Sequence, residues 1–145
     1  EHIDEENSVG CYMNLVPLTL SCGESDQSTL VQQVQHRLLA AQAHTVPWPV
    51  LIDAVRPPAH GDGNALTNVV LALQNFPPAV ADFPGLVCET RHIASGLGQH
   101  VLKLEFVVNG AGWSLRIDHA AAVVDAAAVG QLQQTLLAWL QQLSS

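Results

Sequence analysis

The sequence has little charge. Only 12% of its 145 residues are charged, against roughly 25% in typical soluble domains. Thirteen acidic residues outnumber five basic ones, which gives a net charge of −8. Scattered cations do not form the basic patch that a phosphate backbone requires, so nucleic acid is excluded as a partner. We expect other protein to cover part of this weakly charged surface. The five cations are Arg37, Arg56, Arg91, Lys103 and Arg116.

Long apolar runs, paired cysteines and clustered histidines are also missing. No run approaches the ~20 apolar residues of a membrane-spanning helix, so we expect no membrane partner. Cys11, Cys22 and Cys88 form no C-x-x-C pair and are odd in number, as expected for reduced cytoplasmic thiols. The seven histidines lack the spacing of metal ligands, so we expect no metal site.

The most apolar stretch near the beginning of the chain covers residues 9–20. Apolar side chains occupy both alternating sets of positions there, which predicts a strand covered on both faces. Asn14 interrupts the pattern. A buried amide without partners costs roughly 1–3 kcal/mol, so Asn14 is expected either to hydrogen-bond neighbouring backbone or to line a channel. The acidic residues 1–8 are expected to form an exposed lead-in.

Two amphipathic helices are predicted from apolar residues that recur at three- and four-residue steps. One covers about residues 28–43 and follows Asp26 and Ser28, either of which can cap it. The other covers about residues 125–143, with Asp125 as its cap. Both helices are expected to pack their apolar faces against the rest of the domain.

Three further segments have strand signals, and one has the signal of a short helix. Pro49 suits the first turn of a short helix, because its missing N–H is no loss there. Residues 64–75 are predicted to contain a second buried strand, and residues 86–88 a short one. Residues 101–119 alternate around Asn109-Gly110, which predicts an antiparallel hairpin with one buried face.

Three motifs, taken in chain order, resemble a known family. The first is an apolar strand with Gly and Asn followed by Pro-Leu, the second is an aromatic–Pro stretch after a helix, and the third is an Asn-led apolar strand that ends in Gln-Asn. The matching residues are Gly10, Asn14, Pro17 and Leu18, then Pro47 and Trp48, then Asn64, Leu66, Gln74 and Asn75. In this order they resemble the closing part of the condensation domain of nonribosomal peptide synthetases.

Several positions depart from the family's pattern. Acidic, basic and aromatic residues that are usual in the three motifs and in the closing strands are replaced. The replacements are Thr45 and Pro49 for acids, Gly63 for Arg, Ala65 for Pro, Lys103 for Asp and His119 for Tyr. The side chains that the family carries at these positions are therefore absent from this sequence.

The resemblance implies a fold and an assembly. The fold class is α/β, an α+β sandwich: residues 9–145 form the C-terminal portion of a chloramphenicol-acetyltransferase-like half-domain, without the N-terminal half. Its mixed sheet carries the hairpin at 101–119, with packed helices at about 28–43 and 125–143. The implied partners are peptidyl carrier protein domains, the N-terminal half of the condensation domain and a neighbouring adenylation domain, in the cytoplasm. We accordingly expect the chain to be part of a longer protein.

The implied reaction is attack of an acceptor amine on a donor thioester, which forms a peptide bond. The substrates arrive on the phosphopantetheine arms of carrier proteins, and no cofactor is bound directly. The family's catalytic motif, His-His-x-x-x-Asp-Gly, does not occur in this sequence. We therefore assign no catalytic residue, and expect the chain to supply tunnel wall and carrier-docking surface, with Asn14, Asn64 and Asn68 as substrate-binding candidates.

Two alternatives belong to other functional classes. One is an acyltransferase of the same superfamily that uses free coenzyme A, which would lack adjoining carrier and adenylation domains. The other is a degenerate, non-catalytic half-domain that serves for protein–protein docking. The replaced Arg, Glu and Tyr positions favour the second alternative, and a catalytic His-His motif upstream would exclude it.

Overall fold

A computed structural model describes most of the chain. It covers residues 9–10, 13–21, 23, 26–58, 66–75, 83–88, 93, 96, 98, 100–109 and 112–143. The chain divides into two compact units, Glu1–Pro57 and Pro58–Ser145. Three helices and a three-stranded mixed sheet lie in the described residues, so the class is mixed α/β, as predicted. The predicted lead-in at 1–8 lies outside the described residues.

Helix α1, Gln27–Ala43, lies in the first unit and begins within one residue of its predicted start. Asp26 is its N-cap: the Asp26 carboxylate accepts from the Thr29 backbone N–H at 2.8 Å and from the Ser28 hydroxyl at 2.7 Å. The bond from the Thr29 backbone is the main reason that the pKa of Asp26 falls to about 2. The cap is therefore Asp26, and Ser28 assists it. No residue of α1 is buried, although packing was expected.

Helix α2, Trp48–Val55, confirms the predicted short helix with Pro49 in its first turn. It ends at Arg56, which adopts a left-handed conformation (φ 45°) and donates its backbone N–H to the Ile52 carbonyl at 2.9 Å. A left-handed residue is a common way to close a helix. Arg56 is the one non-glycine residue with positive φ in the described part of the chain.

The strand predicted at 9–20 is wrong for the part that the structure describes. Residues 13–21 have no strand partner, and the Met13 side chain is 86% exposed. Two local features oppose ladder pairing. Pro17 has no N–H to donate, and the contact of Asn14 with the backbone of Val46 and Trp48, beyond α1 in sequence, is made by its side chain.

The second unit contains a sheet of three strands in the order β1-β2-β3. Strand β1 is Val69–Gln74, β2 is Leu102–Asn109 and β3 is Gly112–His119. Strands β1 and β2 are parallel, whereas β2 and β3 form the predicted antiparallel hairpin. The strand expected within 64–75 is present, while residues 86–88 form no strand.

The strand register of the hairpin differs by two residues from the register that an Asn109-Gly110 turn predicts. If Asn109 and Gly110 were the two loop residues of the turn, Val108 would face residue 111. In the structure Asn109 faces Gly112, and Val108 faces Trp113. Gly112 has a positive φ of 138°, a region that favours glycine.

One face of the sheet is apolar, with a buried residue on the central strand and exposed residues on the two outer strands. Leu104, on the central strand, is buried at 7% exposure, whereas Leu71, its partner on β1, is 69% exposed. Trp113, at the start of β3, is 66% exposed. Strand β1 therefore alternates between half-buried and exposed residues, and the prediction that it is buried on both faces is wrong for this chain.

Helix α3, Ala126–Leu143, closes the second unit close to its predicted limits. Asp125 caps it as predicted, since its Oδ1 accepts from the backbone N–H groups of Ala127 at 2.6 Å and Ala128 at 3.0 Å. No residue of α3 is buried, so the expected packing is only partial. Among the helices that the structure describes, none has the length and apolar character to cross a membrane.

The open edge of the sheet leads to a prediction about solubility. Strand β1 is an edge strand without charge or proline, and exposed edges of this kind promote strand pairing between molecules. We expect the expressed chain to self-associate and Leu71→Lys to reduce this association, because a charge at the centre of an edge strand disfavours pairing. Light scattering across a concentration series measures the effect.

The matched control is Gln35→Lys, which adds the same charge at an exposed position of helix α1, outside the sheet. It should reduce association less than Leu71→Lys does. Equal effects of the two substitutions would mean that net charge, rather than the β1 edge, controls association.

Candidate functional site

Asn14 is the first candidate residue that sequence reasoning singled out, and both ends of its side-chain amide are bonded. The Nδ2 group donates to the Val46 carbonyl at 2.8 Å, and the Oδ1 atom accepts from the Trp48 backbone N–H at 3.0 Å. Both partners lie more than thirty residues away in sequence, within the same unit. The geometry favours the structural alternative for Asn14 over direct contact with a ligand.

The two Asn14 bonds have the pattern of a strand partner. The Asn14 amide bonds to the C=O of Val46, just before Pro47, and to the N–H of Trp48, just after it. In a parallel ladder, the backbone of one residue bonds to the same two groups on either side of its partner. Pro47 has no N–H of its own. The side-chain amide therefore takes the place of a backbone N–H and C=O, and its two bonds connect residues 13–21 to the beginning of α2. We call this pair of bonds the Asn14 clamp.

Asn68 and Asn64 are the other two candidates. Asn68 immediately precedes β1, and its backbone carbonyl accepts from the Leu102 N–H at 2.9 Å, which extends the parallel pairing by one residue. Its side chain is exposed. Asn64 lies outside the described residues. Asn14 belongs to the first unit and Asn68 to the second.

A charged cluster that sequence reasoning did not single out lies on the second face of the sheet. Glu105, on β2, is only 6% exposed. Its carboxylate accepts from Gln74 Nε2 of β1 at 3.0 Å, from Lys103 Nζ at 3.2 Å, and from Arg116 Nη1 of β3. One carboxylate thus connects all three strands, and we call this group the Glu105 cluster.

The electrostatics of the cluster favour an ionised carboxylate. The hydrogen bond from Gln74 lowers the pKa of Glu105 most, burial opposes the shift, and the cations of Lys103 and Arg116 lower the pKa further. The side chains of Lys103 and Arg116 remain about a third exposed, at 33% and 31%. The donors satisfy the carboxylate, so the cluster has the chemistry of a structural tie rather than that of a general acid or base.

His119 stands at the end of β3, where the resembled family usually has Tyr. Its Nδ1 lies 3.0 Å from the Val124 carbonyl, so in this geometry the ring donates to the backbone just before α3. This bond links the end of the sheet to the start of the last helix. Within the described residues, no group of three or more His, Cys, Asp or Glu side chains could hold a metal ion.

The sequence contained a partial signal for the Glu105 cluster. Lys103, Glu105, Arg116 and Asp118 are the charged residues at alternating positions of the predicted hairpin, and the first three form the cluster. Their pairing could not be read, however, because it depends on the hairpin register and on a parallel strand more than twenty-five residues upstream. Gln74 was noted only as a motif residue, and its bond to Glu105 requires the β1–β2 pairing.

Comparison with known proteins finds similarity between this chain and a small part of a much longer protein. The chain is 30% identical over 124 residues to a protein of Salinispora arenicola (strain CNS-205) described as "Probable non-canonical nonribosomal peptide synthetase (NRPS) CymA". The match covers 84% of this chain but only 2% of that protein. The chain matches no protein-family model and no solved structure. The similarity thus indicates a relation to nonribosomal peptide synthetases.

The Asn14 clamp predicts a stability effect. Asn14→Leu removes two hydrogen bonds at an exposed position, and each is worth about 0.5–1.5 kcal/mol. We expect the free energy of unfolding to fall by about 1–2 kcal/mol, because water can reach part of the freed backbone. Thermal unfolding followed by circular dichroism measures it. Asn68→Leu is the matched control and should change stability by less than about 0.5 kcal/mol, since only its backbone is used. A wild-type melting curve for Asn14→Leu would contradict the clamp.

The Glu105 cluster predicts a pH dependence. Because the folded-state pKa of Glu105 lies below its usual value of 4.5, the ionised carboxylate stabilises the fold above about pH 4.5. That contribution is lost as the pH falls through the lowered folded-state pKa. Glu105→Gln should therefore destabilise the chain at pH 7, by about 1–2 kcal/mol given its partly exposed partners. It should also flatten the acid limb of the stability curve.

The control for the cluster is Asp118→Asn. It removes a carboxylate from the same face of the sheet and leaves the bonds to Glu105 in place. Denaturant unfolding between pH 7 and pH 3 compares the two variants. If the acid limb were the same in Glu105→Gln and in the wild type, the cluster would not contribute to the pH dependence.

Proposed function

We propose that this chain is the C-terminal portion of a condensation domain in a nonribosomal peptide synthetase. The observation that carries the proposal is the 30% identity, over 84% of the chain, to a described nonribosomal peptide synthetase. The three motifs that resemble condensation domains, in the same order, point to this domain rather than to another part of such an enzyme. The mixed sheet, with a parallel strand beside a hairpin, is compatible with one half of that fold.

In this proposal the reaction is amide formation between two carrier-bound substrates. The acceptor amine attacks the donor's thioester carbon, the C–S bond breaks, and the donor's carrier leaves as a free thiol. Holding both substrates in one tunnel supplies much of the rate enhancement, because the amine and the thioester carbon are kept close together and need not meet by diffusion. The catalytic histidines lie in the other half of the domain.

The role proposed for this chain is to complete the tunnel wall and to offer surface to the carriers. Asn14 shapes the wall through its clamp, because both ends of its amide are already bonded. Asn68, whose side chain is exposed, and Asn64 are the candidates for direct contact with a substrate. The exposed apolar face at Leu71 and Trp113 supports the proposal, since a half-domain leaves such surface for its other half to cover.

The first test of the proposed function uses the isolated chain. Incubated with a donor aminoacyl-carrier and an acceptor aminoacyl-carrier, it should give no more dipeptidyl thioester than a blank, because the catalytic histidines are not on it. Mass spectrometry of the carriers measures the product. The positive control is an active condensation domain with the same carriers, and product from the isolated chain above blank would place the catalytic group in this sequence.

The second test concerns the coding sequence that contains the chain. We expect a His-His-x-x-x-Asp-Gly motif upstream of Glu1 and an adenylation or carrier region in the same protein. Replacing the second His of that motif by Ala in the whole protein should abolish condensation and leave carrier loading intact. A motif without neighbouring carrier regions would favour the coenzyme A acyltransferase, and absence of the motif would favour the docking half-domain.

A further inference from the structure

Strand β1 presents one set of its backbone groups at the outer edge of the sheet. The Leu102 N–H donates to the Asn68 carbonyl at 2.9 Å, and Leu102 lies opposite Val69. In a parallel ladder, a residue opposite such a bonded residue turns its own N–H and C=O away from the partner strand, and this recurs at every second position. The outward groups of β1 therefore belong to Val69, Leu71 and Leu73. Among the described residues, no strand lies on that side of β1.

The same three residues carry the exposed side chains of the strand. Val69 is 57% exposed, Leu71 69% and Leu73 50%, whereas the residues between them are half-buried. They lie on the face of the sheet that includes Leu104, the face opposite the Glu105 cluster. One row of residues thus combines outward backbone groups with exposed apolar side chains, which is the combination that an added strand requires.

Strand β1 is complementary to itself in one antiparallel register. Hydrogen-bonded pairs in an antiparallel ladder exchange both N–H···O bonds and recur at every second position. If Leu71 faces Leu71 of a second copy, Val69 faces Leu73 of that copy, and all three outward residues of each copy form such pairs. A shift of the register leaves at least one of the three without a partner in β1. The pairing also places apolar side chains opposite apolar side chains on one face.

This symmetric pairing is closed at two copies. A twofold axis perpendicular to the sheet at Leu71 relates them, so the contact is isologous and occupies β1 of both copies. The other outer strand, β3, carries Arg116 and Asp118, and charged side chains on an edge strand disfavour further pairing. Strand β1 has no charged residue. The two outer strands therefore differ in their suitability for contact with a second copy.

We propose that β1 docks a second copy of this chain, with the two β1 strands antiparallel and Leu71 facing Leu71, so that two three-stranded sheets become one. The inference goes beyond the proposed function and does not depend on it. A contact between two single strands covers less surface than the about 1,200 Å² at the lower limit of standard interfaces. We therefore expect a weak dimer, with a Kd on the order of 0.1 mM.

Disulfide trapping tests the register. The native residues Cys11, Cys22 and Cys88 are replaced by Ser, and Leu71→Cys or Val69→Cys is then introduced. Facing residues of a hydrogen-bonded pair have Cα atoms about 5.5 Å apart, which suits a disulfide. Two copies of residue 69 would be separated by roughly 13 Å along the contact. In a glutathione redox buffer, Leu71→Cys should therefore give about tenfold more linked dimer than Val69→Cys.

The matched control is a mixture of Val69→Cys and Leu73→Cys. These two positions face each other across the proposed contact, so the mixture should form a mixed disulfide although neither variant links efficiently to itself. Parallel pairing, or random collision of exposed thiols, would instead link each variant to itself. Circular dichroism verifies folding of each variant, and all three substitutions lie at exposed positions.

A second measurement uses the wild-type chain and requires no variant to fold. Amide hydrogen exchange is labelled in short pulses at about 10 µM and about 1 mM, below and above the expected Kd, and is located by mass spectrometry. Exchange of the outward N–H groups of Val69, Leu71 and Leu73 should slow several-fold at the higher concentration. The N–H groups of the residues between them, which already face β2, should change little.

Either of two results would overturn the proposal: equal linking of Leu71→Cys and Val69→Cys, or exchange at the outward N–H groups that does not depend on concentration. The edge would then be left for a strand of different sequence, such as one from the other half of the proposed domain. A condensation assay that fails would instead bear only on the proposed function, so the two failures are distinguishable.

Discussion

The buried carboxylate of Glu105 is the constraint on which the sheet depends. It is the one polar side chain classed as buried among the described residues, and it lies on the central strand. A buried charge is tolerated only when charged or polar donors surround it. Gln74, Lys103 and Arg116 supply those donors from all three strands. A shift of either neighbouring strand would remove a donor from the carboxylate, so the cluster ties strand register to ionisation.

The hairpin register follows the same electrostatic logic. With Asn109-Gly110 as the loop of the turn, Lys103 would face Arg116, a pair of like charges across the strands. The observed register moves each partner by two residues, which keeps every side chain on its face. It places Glu105 opposite Arg116 and Lys103 opposite Asp118. Opposite charges in facing positions stabilise a sheet and like charges destabilise it, which explains why the local turn signal is overruled.

The sequence predicted elements better than it predicted their environment. Both long helices and the Asp125 cap are confirmed, and Asp26 is the cap among the two candidates at α1, because three- and four-residue periodicity and cap chemistry are local. The strand predicted at 9–20 is wrong for its described residues. An apolar run shows that a segment is rich in apolar side chains, but it does not show whether another strand hydrogen-bonds to its backbone. There Pro17 lacks a donor and Asn14 bonds through its side chain instead. The parallel pairing of β1 with β2 is non-local, and nothing in either strand specifies it.

The candidate site shows the same limit. The sequence shows Asn14 as an amide that needs hydrogen-bond partners, and in the structure both ends of the amide are bonded. Which backbone groups it meets depends on how the chain returns at Pro47, and no local pattern reveals that. The Glu105 cluster was visible only as alternating charges, since its donors come from three strands.

Few apolar side chains are buried in the described part of the chain. A domain of this length ordinarily buries a large core, yet Leu104 is the one apolar residue classed as buried in the described part of the chain. The other described apolar residues on the helix faces and strands lie half-exposed or exposed. A low content of charge leaves this surface poorly suited to water. A surface of this kind is better suited to contact with other protein than to contact with water.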